Sequence, residues 1–159
     1  MEQESFLSEL EFIPVRASTG KRFLNYLIDL IGFYFLFIVF GVAAEISSPG
    51  TLAAVNGNDI GINLLMRIVY LAIFGLYIFA MEAIFKGRTI GKFITGTKAV
   101  NEDGTNISIE TAFHRGMSRA VPFEPFSAFG SPSYPWHDRW TKTYVIDIKA
   151  SSINNSAAQ

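Results

Sequence analysis

Three charged side chains stand inside or beside two long apolar stretches of the sequence. Asp29 interrupts the first stretch, Glu82 lies near the end of the second, and Arg22 precedes Asp29 by seven residues. Because seven residues are almost two helical turns, Arg22 and Asp29 share one face of a helix. An ionised carboxylate in a membrane interior costs on the order of a few kcal/mol unless it is paired or hydrated. Two such acids facing each other can share a proton or a cation, and an acid beside an arginine forms an ion pair.

Other catalytic chemistries find little support in the residue types present. The chain has no cysteine, and its two histidines, His114 and His137, are not spaced as in a zinc-binding helix. A Gly-x-Ser-x-Gly nucleophile motif does not occur in the sequence. A phosphate-binding loop at Gly91 and Lys92 is excluded, because only three residues separate Gly87 from Gly91 and no Ser or Thr follows the lysine. We therefore expect no enzyme, no cofactor and no metal site.

The two apolar stretches are long enough to cross a membrane as helices. They run from about Leu24 to Ala44 and from about Leu64 to Phe85. A helix of about 21 residues rises roughly 31 Å, close to the roughly 30 Å of a bilayer's hydrocarbon core. Only 17% of the residues are charged, below the roughly 25% of ordinary soluble domains. The sequence thus predicts a membrane α-helical protein built on a hairpin of two transmembrane helices.

Basic residues are distributed unevenly around this hairpin. The connecting loop, residues 45–63, contains no Lys or Arg, whereas seven basic residues flank the outer ends of the two spans. The seven are Arg16, Lys21, Arg22, Lys86, Arg88, Lys92 and Lys98. By the positive-inside rule, both termini are cytoplasmic and the loop is external. The acidic start of the chain does not resemble a cleavable signal peptide, so we expect a multi-pass protein of the bacterial inner (plasma) membrane that uses its first span as an uncleaved signal.

The remainder of the chain predicts a cytoplasmic part with interfacial helices and a small β element. Short strands are expected at Thr97–Val100 and Thr105–Ile107, and a strand at Thr143–Ile148 is a candidate partner of the first. Ser108 is expected to cap a helix at Ile109–Ala120. An apolar stripe beside a basic stripe of His114, Arg115, Ser118 and Arg119 suits a helix on the inner leaflet, or one packed against the hairpin.

Prolines and aromatic residues alternate in the stretch that follows, residues 121–135. Four of the six prolines lie here, so the stretch is too broken for a regular span. Backbone groups that proline leaves unpaired need protein or water as partners. We expect an interfacial or shallow re-entrant segment within residues 109–140, anchored at the membrane surface by Trp136 and Trp140.

Several short motifs, taken in order, resemble the RDD family of small bacterial membrane proteins. They are Arg22, Asp29, TIGK at residues 89–92, TKAVNEDG at 97–104 and WHDRWTKTYV at 136–145. The family is named for an arginine and two aspartates, which match Arg22, Asp29 and Asp138 in this sequence. Many family members carry a third span where this chain has its proline-rich stretch. The resemblance covers about residues 16–148, within a membrane domain at 16–150 that lies between an acidic cytoplasmic tail at 1–15 and a disordered tail at 151–159.

The resemblance implies a polar cluster of Arg22, Asp29 and Asp138, with Glu82 as a candidate neighbour. Some family members have been linked to cation/proton exchange, so small-cation or proton handling is the first functional interpretation. Because two helices cannot enclose a transport path, this would need a homo-oligomer or another membrane protein in the lipid bilayer. Nucleic acid is not an expected partner. The alternative is a membrane scaffold or assembly partner, in which the cluster is a static ion-pair network.

Overall fold

Two long helices dominate the computed structural model, which describes residues 14–55, 60–129 and 134–151. Helix α1 spans Thr19–Ser47, the short helix α2 spans Thr51–Val55, and helix α3 spans Ile60–Ile84. Only 11% and 17% of the most apolar windows of α1 and α3 are buried within the chain. A core helix of a soluble protein is mostly buried, so these exposed apolar surfaces are suited to lipid. Both helices are long and apolar enough to span a membrane.

Both long helices begin earlier than the predicted spans. The Ser18 side chain accepts a hydrogen bond from the Lys21 backbone N–H, and this cap starts α1 at Thr19 rather than near Leu24. Hydropathy detects only the apolar part of a helix, whereas capping decides where the helical backbone begins. The described part of the predicted loop is also largely helical. The Glu45 carboxylate joins the end of α1 to the start of α2, because it accepts hydrogen bonds from the backbone N–H groups of Gly50 and Leu52. Most of the two predicted tails, at residues 1–13 and 152–159, lies outside the described residues.

The second half of the chain forms a two-stranded sheet surrounded by short helices. Its elements are helix α4 (Ile90–Thr95), strand β1 (Thr97–Asn101), helix α5 (Ile109–Arg119), a 3₁₀ helix (Glu124–Phe129), helix α6 (Trp136–Trp140) and strand β2 (Thr143–Asp147). The strands are antiparallel, with Thr97 opposite Asp147 and Asn101 opposite Thr143. Asn106 makes only an isolated bridge to Val100, so the strand predicted at Thr105–Ile107 is reduced to a single pairing.

The segment before α1 extends this sheet along the other edge of β2. The Ala17 backbone N–H donates to the Val145 carbonyl at 2.9 Å, and the Asp147 N–H donates to the Val15 carbonyl at 2.8 Å. These bonds bring the start of the first long helix to the sheet. The first helix and the C-terminal strand are thereby held together, although more than a hundred residues separate them in sequence.

Helix α5 packs backbone to backbone against α3. A Cβ atom added at Gly116 would lie 2.5 Å from the Gly75 carbonyl oxygen and 2.9 Å from the Phe79 backbone nitrogen. Only glycine permits so close an approach. The contact turns Arg115 of the basic stripe inward, where it is 1% exposed, in agreement with the alternative in which this helix packs against the hairpin. Of the four residues in that stripe, only His114 is exposed to solvent or lipid.

Helix α4 docks against α1 in the same way. A Cβ atom at Gly91 would lie 2.4 Å from the Asn25 carbonyl oxygen. Higher along the two long helices, α1 and α3 meet through an aromatic cluster centred on Phe33, Phe74 and Ile78. The fold therefore places α4, α5 and α6 beside the ends of α1 and α3 that adjoin the sheet, and the charged side chains of all five helices meet there.

Candidate functional site

Arg115 of α5 lies at the centre of a buried ion-pair network. Its Nε donates to Glu82 Oε2 at 2.7 Å, and its Nη1 donates to Asp138 Oδ1 at 2.6 Å and to the Thr143 hydroxyl. Burial alone would lower the pKa of Arg115, but the two carboxylates raise it above its ordinary value. One planar guanidinium, fixed in its charged form, thus joins α3, α6 and β2.

Arg22 of α1 approaches the same aspartate from the other side. Its Nη1 is ion-paired with Asp138 Oδ2, while its Nε donates to the Ala17 carbonyl at 3.2 Å and its Nη2 to the Val145 carbonyl at 3.3 Å. Asp138 is 0% exposed, and burial alone would raise its pKa. The charges of protonated His137, Arg115 and Arg22 together outweigh burial and hold the pKa of Asp138 well below its usual range.

Lys92 of α4 supplies the second basic partner of Glu82. Its Nζ is ion-paired with Glu82 Oε1, and both side chains are 1% exposed. The Thr89 hydroxyl caps the start of α4 and so fixes the direction in which Lys92 points. Burial lowers the pKa of Lys92, and the charge of Arg115 adds to this effect against the attraction of Glu82.

Asp29 makes its hydrogen bonds apart from these pairs. Its Oδ2 accepts from the Thr89 hydroxyl at 2.6 Å, and its Oδ1 accepts from the Gly91 backbone N–H at 2.8 Å. It is 2% exposed and forms no ion pair with any residue in the described ranges. Its carboxylate therefore holds the first turn of α4 against α1, through two neutral donors.

The structure brings some of the predicted site residues together and separates others. Arg22, Asp138 and Glu82 belong to one network, although Arg115 stands between Glu82 and the other two. Asp29 is linked to them only indirectly, because Thr89 precedes the helix that carries Lys92. Asp29 and Glu82 each have donors of their own, so neither needs a proton shared with the other.

Sequence reasoning missed Arg115 and Lys92 as members of the site. A signal for Arg115 was the glycine next to it, since a glycine inside a helix marks a close backbone approach and hence a buried face. Lys92 belongs to the TIGK motif, and Glu82 needed a basic partner inside the membrane. Neither signal identifies Glu82 as the partner, because Lys92 and Arg115 lie 10 and 33 positions from it in sequence.

A second group of charged residues lies beside the network. His137 Nδ1 is hydrogen-bonded to Glu124 Oε1, and His137 Nε2 faces Arg119 Nη2 at 3.2 Å. A guanidinium can only donate, so the contact with Arg119 favours the neutral tautomer in which Nε2 accepts and Nδ1–H donates to Glu124. His137 Nε2 also lies 3.4 Å from Asp138 Oδ1, which attracts the protonated ring. Burial lowers the pKa of His137, and the charge of Arg119 adds to this effect against Asp138 and Glu124. Burial alone would raise the pKa of Glu124, but the His137 hydrogen bond and Arg119 lower it overall.

The charged side chains of this region balance only when a half-buried arginine is included. The buried basic members are Arg22, Lys92 and Arg115, the buried acidic members are Asp29, Glu82, Glu124 and Asp138, and Arg119 is half-buried. Within the described ranges, no group of three or more His, Asp or Glu side chains is placed to hold a metal ion. The arrangement can hold six helices together by charge-assisted hydrogen bonds: α1, α3, α4, α5, α6 and the 3₁₀ helix.

Comparison with known proteins gives a family and no closer relative. No curated protein and no solved structure matches the chain. The sequence profile of the RDD family matches residues 16–148, which is most of the chain, and the predicted resemblance is thereby confirmed. This family is membrane-associated, in agreement with two helices able to span a membrane. The chain therefore belongs to the RDD family and is a membrane protein.

Proposed function

We propose that this RDD protein is a membrane scaffold or assembly partner whose buried ion pairs fasten the sheet beneath two transmembrane helices. The observation that carries the proposal is the Arg115 bridge, which joins Glu82 of α3 to Asp138 of α6. Arg22 and Lys92 complete the pairing, so both carboxylates of the bridge have two basic partners. Because Glu82 and Asp138 are both fully ion-paired, the network is better suited to holding elements together than to relaying protons.

The scaffold lies in the bacterial inner membrane with both termini in the cytoplasm. The supporting observation is the absence of basic residues from the loop between the spans and their abundance at the other ends. In this orientation, α5 enters the membrane alongside α3, because Gly116 packs against Gly75, roughly 13 Å before the end of α3 at Ile84. The described residues of 109–129 and 134–140 then belong to a re-entrant segment in the place of a third span.

Lipid, a second copy of the chain or another membrane protein covers the outer faces of α1 and α3. Large apolar side chains on both helices support this assignment, among them Phe35 and Phe40, which are 66% and 72% exposed. We propose neither an enzymatic role nor nucleic-acid binding for this protein. Its role would be to hold a partner protein at the membrane.

Hydrogen exchange on the purified protein tests the scaffold proposal. Replacing Arg115 by glutamine leaves Glu82 and Asp138 each with one basic partner fewer. We expect the amides of β1, β2 and α6 to lose protection together, while those of α1 and α3 remain protected. Arg139→Gln, which removes an exposed arginine of α6, is the matched control. Unchanged protection of the sheet in Arg115→Gln would contradict the proposed fastening.

The second candidate function is the handling of protons or small cations by an oligomer. It is favoured by one observation: Asp29 is buried in a membrane-spanning helix and has only neutral hydrogen-bond donors among the described residues. Proteoliposomes with imposed gradients of H⁺, Na⁺ or K⁺ separate the two candidates. The scaffold predicts no flux above that of empty vesicles, whereas transport predicts a flux that a stable Asp29→Asn variant abolishes.

A further inference from the structure

An unassigned cavity of about 220 Å³ lies between α1, the 3₁₀ helix and α6. Its charged lining residues are Arg22, Lys92, Arg119, Glu124 and His137. The rest of the lining is mainly apolar and includes Phe23, Phe126 and Ala128. A cavity that joins charged groups to apolar walls fits an amphiphilic molecule.

Among the residues that the structure describes, two buried polar atoms of the cavity lining have no hydrogen-bond partner. They are the Nε of Arg119, a cationic donor, and Oε2 of Glu124, an anionic acceptor. Glu124 is 1% exposed, so bulk solvent does not satisfy its free oxygen. The other charged lining groups are already paired: Arg22 with Asp138 and Lys92 with Glu82. Buried polar groups are almost always hydrogen-bonded. The unpaired donor of Arg119 and the unpaired acceptor of Glu124 therefore favour a ligand that has both an anionic acceptor and a cationic donor.

We propose that the cavity binds the headgroup of a phosphatidylethanolamine-type lipid. The phosphate accepts a hydrogen bond from Arg119 Nε, and the primary ammonium donates one to Glu124 Oε2. A single zwitterionic group thereby satisfies both atoms and leaves the charge of the site unchanged.

A membrane lipid is favoured over a soluble zwitterion by the apolar part of the cavity. Phe23 and Phe126 are 49% and 68% exposed, and both line it. Phe23 lies in the first turns of α1, where the proposed orientation places the cytoplasmic surface of the membrane. Acyl chains can therefore run along these rings while the headgroup reaches the charged residues.

The headgroup chemistry also separates this lipid from others. A phosphatidylglycerol headgroup supplies the phosphate but has no ammonium for Glu124. The quaternary ammonium of phosphatidylcholine carries a charge but has no N–H to donate. Only the primary ammonium supplies a charge-assisted hydrogen bond, the stronger class of hydrogen bond.

Lipid binding to the purified full chain in detergent tests this inference. The probes are phosphatidylethanolamine, phosphatidylglycerol and phosphatidylcholine with identical acyl chains, together with free phosphoethanolamine, each measured by native mass spectrometry and by the shift in Tm. We expect phosphatidylethanolamine to bind at least about tenfold more tightly than each of the others, a ratio equivalent to about 1.4 kcal/mol. Equal affinity for the three lipids would overturn the proposal, and phosphoethanolamine binding as tightly as the lipid would replace it by a soluble-solute site.

Three variants locate the binding. Glu124→Gln should abolish the preference over phosphatidylcholine, with the exposed Glu110→Gln as control. Because Glu124 also contacts His137, Ala128→Leu provides a test that leaves all charged groups in place and fills the cavity. It should weaken phosphatidylethanolamine binding at least about tenfold without lowering the Tm of the lipid-free protein. Ala80→Leu, on the exposed face of α3, is its control. Undiminished binding by Ala128→Leu would overturn the site. The inference rests on the proposed membrane orientation but not on the scaffold role, so loss of lipid binding and loss of sheet protection are distinguishable outcomes.

Discussion

The two buried arginines of the network, Arg115 and Arg22, each contact more than one structural element. Arg115 contacts α3, α6 and β2, and Arg22 contacts α6, β2 and the segment before its own helix. Removing one member of a buried pair typically costs about 3–5 kcal/mol, because the remaining charge stays buried without compensation. Single substitutions in the network therefore loosen several contacts between elements at once.

Asp29 is the residue at which the observed contacts change the expected outcome of mutation. Because Arg22 pairs with Asp138, Asp29→Asn leaves no arginine without its partner. The asparagine can accept from the Gly91 N–H and donate to the Thr89 hydroxyl, so we expect a loss of about 1 kcal/mol in the free energy of unfolding. Asp29→Leu, of similar size, leaves both donors buried without a partner and should cost about 2–5 kcal/mol. Thermal unfolding in detergent checks the order of the two variants, and equal losses would contradict it.

His137 should make the stability of the protein depend on pH. Its pKa is lowered in the folded state, so below the unfolded-state pKa of about 6.5 the unfolded chain binds the proton more readily. The stability due to neutral His137 is thus present above about pH 6.5 and is lost as the pH falls below that value. Asp138 and Glu124, whose pKa values are also lowered, act in the same direction below about pH 4–5.

The measurement is the Tm in detergent between about pH 8 and pH 5.5. We expect the Tm of the wild type to fall across this range. His137→Gln, which keeps a donor for Glu124 and an acceptor for Arg119, should flatten the dependence. His114→Gln is the control, because the His114 side chain is 62% exposed. A wild-type Tm that rises on acidification would show that His137 is stabilised in its charged form.

At the scale of elements, the contact between α5 and α3 positions Arg115. We expect Gly116→Val to separate the two helices, since its Cβ would meet backbone atoms of Gly75 and Phe79 that cannot turn away. The expected loss in the free energy of unfolding is about 3 kcal/mol or more, comparable to severe overpacking of a core. Gly20→Ala is the control, because nothing lies within 4 Å of an added Cβ there. An equal Tm for the two variants would contradict this packing.

At the scale of the whole molecule, the distribution of basic residues determines the predicted topology. A reporter active only outside the cytoplasm should be active when fused near Gly57 and silent when fused near Asn106 or Gln159. Activity at Gln159 would contradict the two-span arrangement and favour a third crossing near residues 121–135. The proposed re-entrant path of α5 predicts silence at Gln159, because on that path the chain returns to the side of the membrane from which it entered.

The two long apolar helices and the family were predictable from the sequence, because both depend on local properties, whereas the orientation of the helices stays a prediction. Apolar runs of about 21 residues and the lack of Lys and Arg between them are visible without any knowledge of contacts. Arg22, Asp29 and Asp138 were likewise recognisable from short motifs in a fixed order. The start of α1 was misplaced, since a cap at Ser18 has no hydropathy signal.

Only the tertiary structure decided which charges meet. In the sequence, Arg22 and Asp29 look like partners because they share one face of a helix. In the structure, Arg22 lies seven residues away near the start of α1, where it contacts Asp138 and the Val145 carbonyl of the sheet instead. The sequence left open whether the basic stripe of Arg115 lies on the inner leaflet or packs against the hairpin, and the Gly75–Gly116 contact buries Arg115. The physical reason is that an ion pair forms between side chains whose backbones are held a few ångströms apart. In this protein, that proximity is created by glycine contacts and strand pairing between distant segments.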